Sequence, residues 1–200
     1  MQTSGFWWIL LAGAIYGVLH SFAASLWLKG QAARLFGEMG RKHYRLGFVV
    51  FALITTLAYF SLVLLLPDAR LYVIPAPWVY LTGILQLAAA LCMLLSLWST
   101  GIMGFLGLEG LFHPEKAADR LPLVTGGFYK YTRHPIYFFS FVVLVLMPFM
   151  TWNLLSFEIG VILYTLIGSL FEERKLVLEY GQDYIDYRNK TPWIIPIKLK

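Results

Sequence analysis

Residues 136–171 read IYFFSFVVLVLMPFMTWNLLSFEIGVILYTLIGSLF, thirty-six positions with one charged side chain, Glu158. As a single helix the run would extend about 54 Å at 1.5 Å per residue, well past the roughly 30 Å hydrocarbon core of a bilayer. Pro148 and the polar Thr151-Trp152-Asn153 divide it. The stretch therefore predicts two short antiparallel spans, about 136–150 and 153–171, joined as a hairpin. Upstream, Phe6–Leu28 runs 23 residues without a charge, Gly47–Leu66 runs 20 and Trp78–Trp98 runs 21. Each is long enough to cross. Pro67-Asp68 closes the second of these runs, and Pro75-Ala76-Pro77 opens the third. The expectation is an all-α integral membrane protein, a single membrane domain over 1–200 with five transmembrane helices. Three spans fall in 1–98. The hairpin 136–171 and a charged C-terminal helix within the tail 172–200 fall in 99–200.

Composition agrees. Apolar residues are 59% of the chain, charged residues 14%, and the mean hydropathy is +0.68, whereas soluble domains sit nearer half apolar and a quarter charged. Aromatic residues reach 17%, as suits a protein with two membrane interfaces. Disorder, a collagen-like fibre, a disulfide scaffold and an ordinary cytosolic enzyme are excluded. Cys92 stands alone and forms no intrachain disulfide. Met1–Gly5 carries no basic residue and the apolar run after it is longer than a signal-peptide core, so the first run reads as a retained span.

Charge sets the orientation. With five crossings, segments 29–46, 99–135 and 172–200 share one side and hold fifteen of the sixteen Lys and Arg residues, leaving Arg70 opposite. The positive-inside rule makes that side cytoplasmic and puts the N-terminus outside. The net charge of +5 is then a topology signal and an attraction for membrane lipids of anionic type. It does not indicate nucleic acid. The glycines of GIMGFLGLEG, residues 101–110, recur every third position, unlike a helix-packing GxxxG. They fit a flexible or tightly turned cytoplasmic connection, or a re-entrant turn whose bare backbone approaches a ligand. No Gly-rich dinucleotide fingerprint or P-loop is present, and no metal is expected.

Chemistry concentrates at the two ends of the hairpin. Gly126-Gly127-Phe128-Tyr129-Lys130-Tyr131-Thr132 leads into Arg133-His134-Pro135. Proline suits the first turn of a helix, which would hold Arg133 and His134 outside a helix N-terminus that favours anions. The bland alternative is an Arg-His pair anchoring the span in headgroups. At the far end stand Glu172-Glu173-Arg174-Lys175-Leu176. On one continuous helix Glu173, Val177, Tyr180, Tyr184 and Tyr187 would share a face toward protein, and Glu172, Lys175, Glu179, Asp183 and Asp186 one toward solvent. Gly181 would spoil that phase. A solvated helix lying on the membrane is the alternative. Antiparallel spans bring the ends together, and a cation pair facing a carboxylate pair between aromatic walls suits a zwitterion such as an α-amino acid bearing adenosine.

The ordered set, Gly127 through Tyr129 and Arg133-His134-Pro135-Ile136-Tyr137, then an apolar hairpin, Glu172-Glu173-x-x-Leu176, Tyr180-Gly181-x-x-Tyr184-x-x-Tyr187 and a late Pro192 or Pro196, resembles the integral-membrane methyltransferases. These include isoprenylcysteine carboxyl methyltransferase and phospholipid N-methyltransferase. The resemblance covers about residues 121–197. It implies S-adenosyl-L-methionine bound at the cytoplasmic face, with S-adenosyl-L-homocysteine as product. Its cofactor candidates are Arg133, His134, Tyr137, Glu172 and Glu173, together with Tyr129, Tyr184 and Tyr187. The N-terminal strings Leu19-His20-Ser21-Phe22-Ala23-Ala24-Ser25, Tyr44-Arg45-Leu46 and Phe105-Leu106-Gly107-Leu108 resemble the short bacterial small-thiol (methanethiol S-methyltransferase-like) branch. There Arg-Gln is expected next, and this chain has Glu109-Gly110.

Methyl transfer from a sulfonium is an in-line displacement that needs alignment and exclusion of water. A thiol acceptor must also lose its proton. The catalytic candidates are His20, Glu109 and Arg133, with His113 as a further possible base, although His113-Pro114 also suits the start of a helix. His20 reads either as a base, since an ionisable residue inside a span is a functional candidate, or as a histidine hydrogen-bonded to a neighbouring helix. Glu158 is expected to reach the interface, and Gln86 to bond between helices. The expected acceptor is small or lipid-soluble, a thiol before an isoprenylcysteine-type carboxylate and a phospholipid amine. A membrane transporter, an assembly factor for a respiratory enzyme or an NADPH-binding reductase are the readings from other classes.

Overall fold

The computed structural model describes residues 4–112 and 122–197. His113, Lys116, Arg120, Lys198 and Lys200, which the sequence reading used as a base candidate or for orientation, lie outside the described residues. In chain order the elements are α1 (Phe6–Ala23), α2 (Leu26–Leu65), β1 (Arg70–Val73), α3 (Trp78–Ser99), α4 (Ile102–Leu106), α5 (Glu109–Phe112), a 3-10 turn (Gly127–Lys130), α6 (Pro135–Val145), β2 (Phe149–Thr151), α7 (Trp152–Tyr180) and α8 (Gln182–Lys190). Among the described residues four helices, α1, α2, α3 and α7, are long and apolar enough to cross a membrane, and α6 is a shorter apolar helix. Burial runs opposite to that of a soluble protein. Leu, Ile, Phe and Trp side chains stand exposed along α1, α2 and α3, while Asn153, Ser156, Glu158 and Ser169 are buried. With lipid as solvent, apolar side chains can face outward and polar ones must find partners inside.

The chain divides into two compact units. The first comprises 1–69, 101–121 and 151–164. The run expected to span 6–28 ends at Ala23, because Ser25 adopts an extended conformation and caps a new helix by accepting from Leu28 N–H at 3.2 Å. The basic segment 29–46, expected as a connection, is helical within α2 and interrupted at Gly37. Its Ala, Arg, Leu, Met and Lys residues are good helix formers. Around residue 151 the expected polar break does local work. The Thr151 hydroxyl accepts from Leu154 N–H at 3.1 Å, and the Asn153 amide donates to the carbonyls of Leu66 at 3.1 Å and Pro67 at 3.2 Å. These are carbonyls that the end of α2 leaves without helical partners. Glu158, expected at the interface, is instead only 5% exposed.

Higher in the same unit, the Tyr59 ring of α2 sits where Gly13 of α1 and Gly160 of α7 leave room. A Cβ on either glycine would collide with its hydroxyl. The Gly-rich segment is not a flexible linker. It forms α4, bounded by Gly101 and Gly107 in left-handed conformations. Gly107 packs directly on the Arg45–Leu46 backbone, leaving no space for a Cβ.

The second unit comprises 70–100, 122–150 and 165–200. The expected span 136–150 is cut short. Its helix stops at Val145, since Pro148 lacks an N–H and disfavours helical backbone before it. Eleven residues span only about 16 Å. The chain continues as β2, which pairs with β1 in a two-stranded sheet, an element absent from the all-α expectation. Gln86 of α3 donates to the Val143 carbonyl in the last turn of α6 at 2.9 Å, the interhelical bond expected of it. The span expected to end at 171 continues as helix to Tyr180. Gly181, at φ 60° and ψ −130°, separates it from α8. The single helix expected over 172–187 is therefore two.

Candidate active site

Pro135 occupies the first turn of α6 with His134 as its N-cap residue, so Arg133 and His134 stand at the helix entrance as the sequence required. The tail fixes them there. Arg133 N–H lies 2.9 Å from the Pro192 carbonyl, His134 N–H lies 3.2 Å from that of Trp193, and the Thr132 hydroxyl donates toward the Trp193 and Ile194 carbonyls at 2.8 and 2.7 Å.

Glu173, buried at the end of α7, collects these groups. Its Oε1 accepts from Arg133 Nε at 2.9 Å and from the Tyr184 hydroxyl at 2.7 Å, and His134 Nε2 lies 2.9 Å away. Arg133 Nη1 also donates to the carbonyls of Thr191 at 2.7 Å and Arg188 at 3.1 Å. Burial alone would raise the Glu173 pKa. Hydrogen bonds from His134, Arg133 and Tyr184, with the Arg133 charge, outweigh it and hold the carboxyl down at about 2. Tyr184 moves the other way, because burial and the hydrogen bond to Glu173 both oppose the phenolate. Tyr187, only 9% exposed, donates to the Tyr129 carbonyl at 2.6 Å, and burial raises the pKa of both phenols.

Glu172 is different. Expected toward solvent, it is half-exposed, and its Oε2 accepts from the Tyr137 hydroxyl at 2.7 Å. His134 Nδ1 stands 3.7 Å from the same oxygen, and the His134 and Tyr137 rings stack at 5.2 Å, 8° from parallel.

The second unit thus gathers Tyr129, Arg133, His134, Tyr137, Glu172, Glu173, Tyr184 and Tyr187. The cations do not confront an empty space, however. Arg133 and His134 are already spent on Glu173. The hairpin ends meet as expected, and the break at Gly181 leaves Tyr184 within reach of Glu173. The sequence reading did not foresee Thr132, nor that residues 188–194 hold the site through backbone carbonyls, which carry no side-chain signal.

The remaining candidates belong to the first unit. His20 lies among Phe48, Tyr164 and Tyr16, with ring centroids at 4.9, 5.2 and 5.3 Å, and its buried Nδ1 has no hydrogen-bond partner among the described residues. Arg45 donates from Nε to the Phe105 carbonyl at 2.8 Å, with its guanidinium 5.0 Å from the Phe105 ring centroid. Two of the N-terminal strings singled out in the sequence, Tyr44-Arg45-Leu46 and Phe105-Leu106-Gly107, are therefore in contact. Glu109 opens α5.

Apolar helices of membrane length and a polar cluster gathered where the short α6 begins and the apolar part of α7 ends define a membrane-embedded protein with an enzyme-like site. The chain belongs to the phospholipid methyltransferase family, whose profile matches residues 78–183. Methanethiol S-methyltransferase of Crocosphaera subtropica is 35% identical over 112 residues, which cover 54% of this chain and 44% of the relative. The enzyme of the same name from Mycobacterium tuberculosis is 34% identical over 105 residues, 50% of this chain and 43% of the relative. Methanethiol S-methyltransferase 2 of Bradyrhizobium diazoefficiens is 36% identical over 77 residues, 38% of this chain and 28% of the relative. The matches span less than half of these relatives' lengths. No solved structure matches.

Proposed function

We propose that this chain transfers a methyl group from S-adenosylmethionine to a small thiol at the cytoplasmic face of the membrane. The observation that carries the cofactor assignment is the division of labour between the two glutamates. Glu173, with Arg133, His134 and Tyr184, builds a rigid, internally neutralised frame. Glu172 keeps a half-exposed carboxylate with only one oxygen engaged by Tyr137. A carboxylate beside stacked aromatic rings fits the chemistry of the cofactor, which offers an ammonium, ribose hydroxyls and an adenine face. When bound, S-adenosylmethionine supplies an electrophilic methyl on a sulfonium. Glu172 would accept hydrogen bonds from the cofactor's donors, the Tyr137 hydroxyl would keep that carboxylate oriented, and the half-buried Tyr129 and buried Tyr187 would wall it from water. Arg133 then acts as a positioning residue, fixing Glu173 to the tail.

The names of the three relatives support a thiol acceptor, and a thiol must release its proton to attack. His20 is the described residue best equipped to receive it, since its Nδ1 is buried without a partner. Glu109 is the second candidate. The topology that suits this reading has five crossings, the N-terminus outside and the C-terminus cytoplasmic.

Calorimetry with S-adenosylhomocysteine on purified protein tests the cofactor. Binding by the wild type and a loss of at least tenfold in Glu172→Gln are expected. Absence of binding, or equal binding by Glu172→Gln, overturns the assignment. Labelled-methyl transfer to a panel of thiols, prenylcysteines and phospholipids tests the acceptor, and turnover confined to lipids would replace the thiol. For His20→Gln the rate deficit should shrink as pH approaches the acceptor thiol's own pKa. A deficit constant with pH would remove His20 as the base.

A further inference from the structure

The face of α7 opposite Glu172 borders the frame residues Arg133 and Glu173 but does not carry the cofactor assignment. Leu170, Arg174, Val177 and Leu178 of α7 line an open groove of about 710 Å³ with Arg188 of α8 and Trp193 of the tail. The spacing of the four α7 positions makes one helical stripe, and Glu172 falls on the other side of the helix. Arg174 and Arg188, the two lining arginines that Glu173 does not engage, thus share one depression with an apolar wall where the apolar run 153–171 gives way to charge. Both arginines are exposed. Arg174 lies over the Phe171 ring at 5.6 Å, and among the described residues no carboxylate pairs with either. The indole N–H of Trp193 is buried and meets no acceptor among the described residues. Arg133 also lines the groove and neutralises Glu173, the carboxylate in its lining. The groove therefore offers net positive charge and a strip of hydrocarbon.

We propose that this groove holds an anionic phospholipid, its phosphate between Arg174 and Arg188 and one acyl chain along Leu170, Val177 and Leu178. A soluble anion would have no use for the apolar strip. A zwitterionic lipid would bring a cation against two guanidinium groups. Guanidinium groups suit phosphate oxygens through paired N–H donors, and clustered basic residues at a membrane boundary attract anionic lipid. The proposal rests on α7 entering a bilayer. It does not require the bound lipid to be a methyl acceptor.

Native mass spectrometry on the full chain in neutral detergent, titrated with short-chain phosphatidylglycerol, phosphatidylcholine of equal chain length or inorganic phosphate, decides it. Phosphatidylglycerol should bind at least tenfold more tightly than phosphatidylcholine. That preference should vanish in the double variant Arg174→Gln/Arg188→Gln and persist in Lys190→Gln, which changes a basic residue outside the groove. Equal binding of the two lipids overturns the proposal, as does an unchanged preference in the double variant. An equal loss in Lys190→Gln would show diffuse surface attraction and also overturn it, and phosphate binding as tightly as phosphatidylglycerol would point to a soluble anion instead. S-Adenosylhomocysteine calorimetry on the same samples and on Arg174→Gln alone keeps this outcome separate, since Arg174→Gln should bind it as the wild type does.

Discussion

At the scale of single residues the site turns on one buried carboxylate. Glu173 would be costly without partners, because desolvation penalises its charge. Three donors on one oxygen reverse the balance. Arg133 and Glu173 keep side-chain exposures of only 12% and 10%, so removing the carboxylate leaves a guanidinium buried and uncompensated. Glu173→Gln should cost about 3–5 kcal/mol, the usual penalty for breaking a buried pair, measured by chemical unfolding in detergent. A cost below about 1 kcal/mol would mean that Arg133 finds water instead. The pH dependence follows in sign. The folded pKa of about 2 lies below the ordinary 4.5, so the native state binds its proton less readily than the unfolded chain. This contribution is complete above the unfolded value and is lost as pH falls from there toward 2. The melting temperature of the wild type should decline over that window, and Glu173→Gln should flatten the decline. The motif residues were legible in sequence, but that Arg133 and His134 would be consumed by Glu173 was not. Adjacent glutamates look alike until a helix phase and three donors tell them apart.

At the scale of elements, the same packing logic governs the crossing of α1, α2 and α7. The Tyr59 ring is 4% exposed, and its hydroxyl has no hydrogen-bond partner among the described residues. Gly13 and Gly160 make room for it. Small residues permit such close approach between helices in a membrane. Gly160→Ala should therefore destabilise by about 1–3 kcal/mol through overpacking. Tyr59→Phe should change stability by less than about 1 kcal/mol, because no bond is lost. Combining the two should recover part of the glycine variant's loss, and strict additivity in thermal unfolding would refute the contact. Lengths were the weak point of the sequence reading. Apolar runs place α3 almost to the residue, yet by themselves they make α6 too long and α2 far too short. Hydropathy reports what lipid tolerates, whereas Pro148 and the cap at Ser25 decide where helices stop and start.

For the whole molecule, the prediction concerns topology. Fifteen basic residues in three segments imply that positions 29–46 and 172–200 face the cytoplasm, with Arg70 on the other side. Single cysteines introduced at Lys42, Lys190 and Arg70, with Cys92 replaced by Ser, should label from the cytoplasmic, cytoplasmic and external sides respectively in intact cells or inverted vesicles. Labelling of Lys42 and Lys190 from opposite sides would dismantle the five-crossing arrangement. The short α6 makes the test informative, because its eleven residues reach only part of the way across by themselves.

Composition and hydropathy alone determined that the chain lives in a membrane as helices, because a 30 Å apolar slab admits few other solutions. Motif order alone located Arg133-His134-Pro135 and Glu172-Glu173 and brought them together, because antiparallel neighbours must share their ends. Only the tertiary structure separated the two glutamates, cut α7 from α8 at Gly181, recruited the backbone of residues 188–194 and exposed the arginine-lined groove on the far side of α7. Those outcomes depend on burial, on carbonyl positions and on which face a side chain takes, and these exist only once the chain has packed.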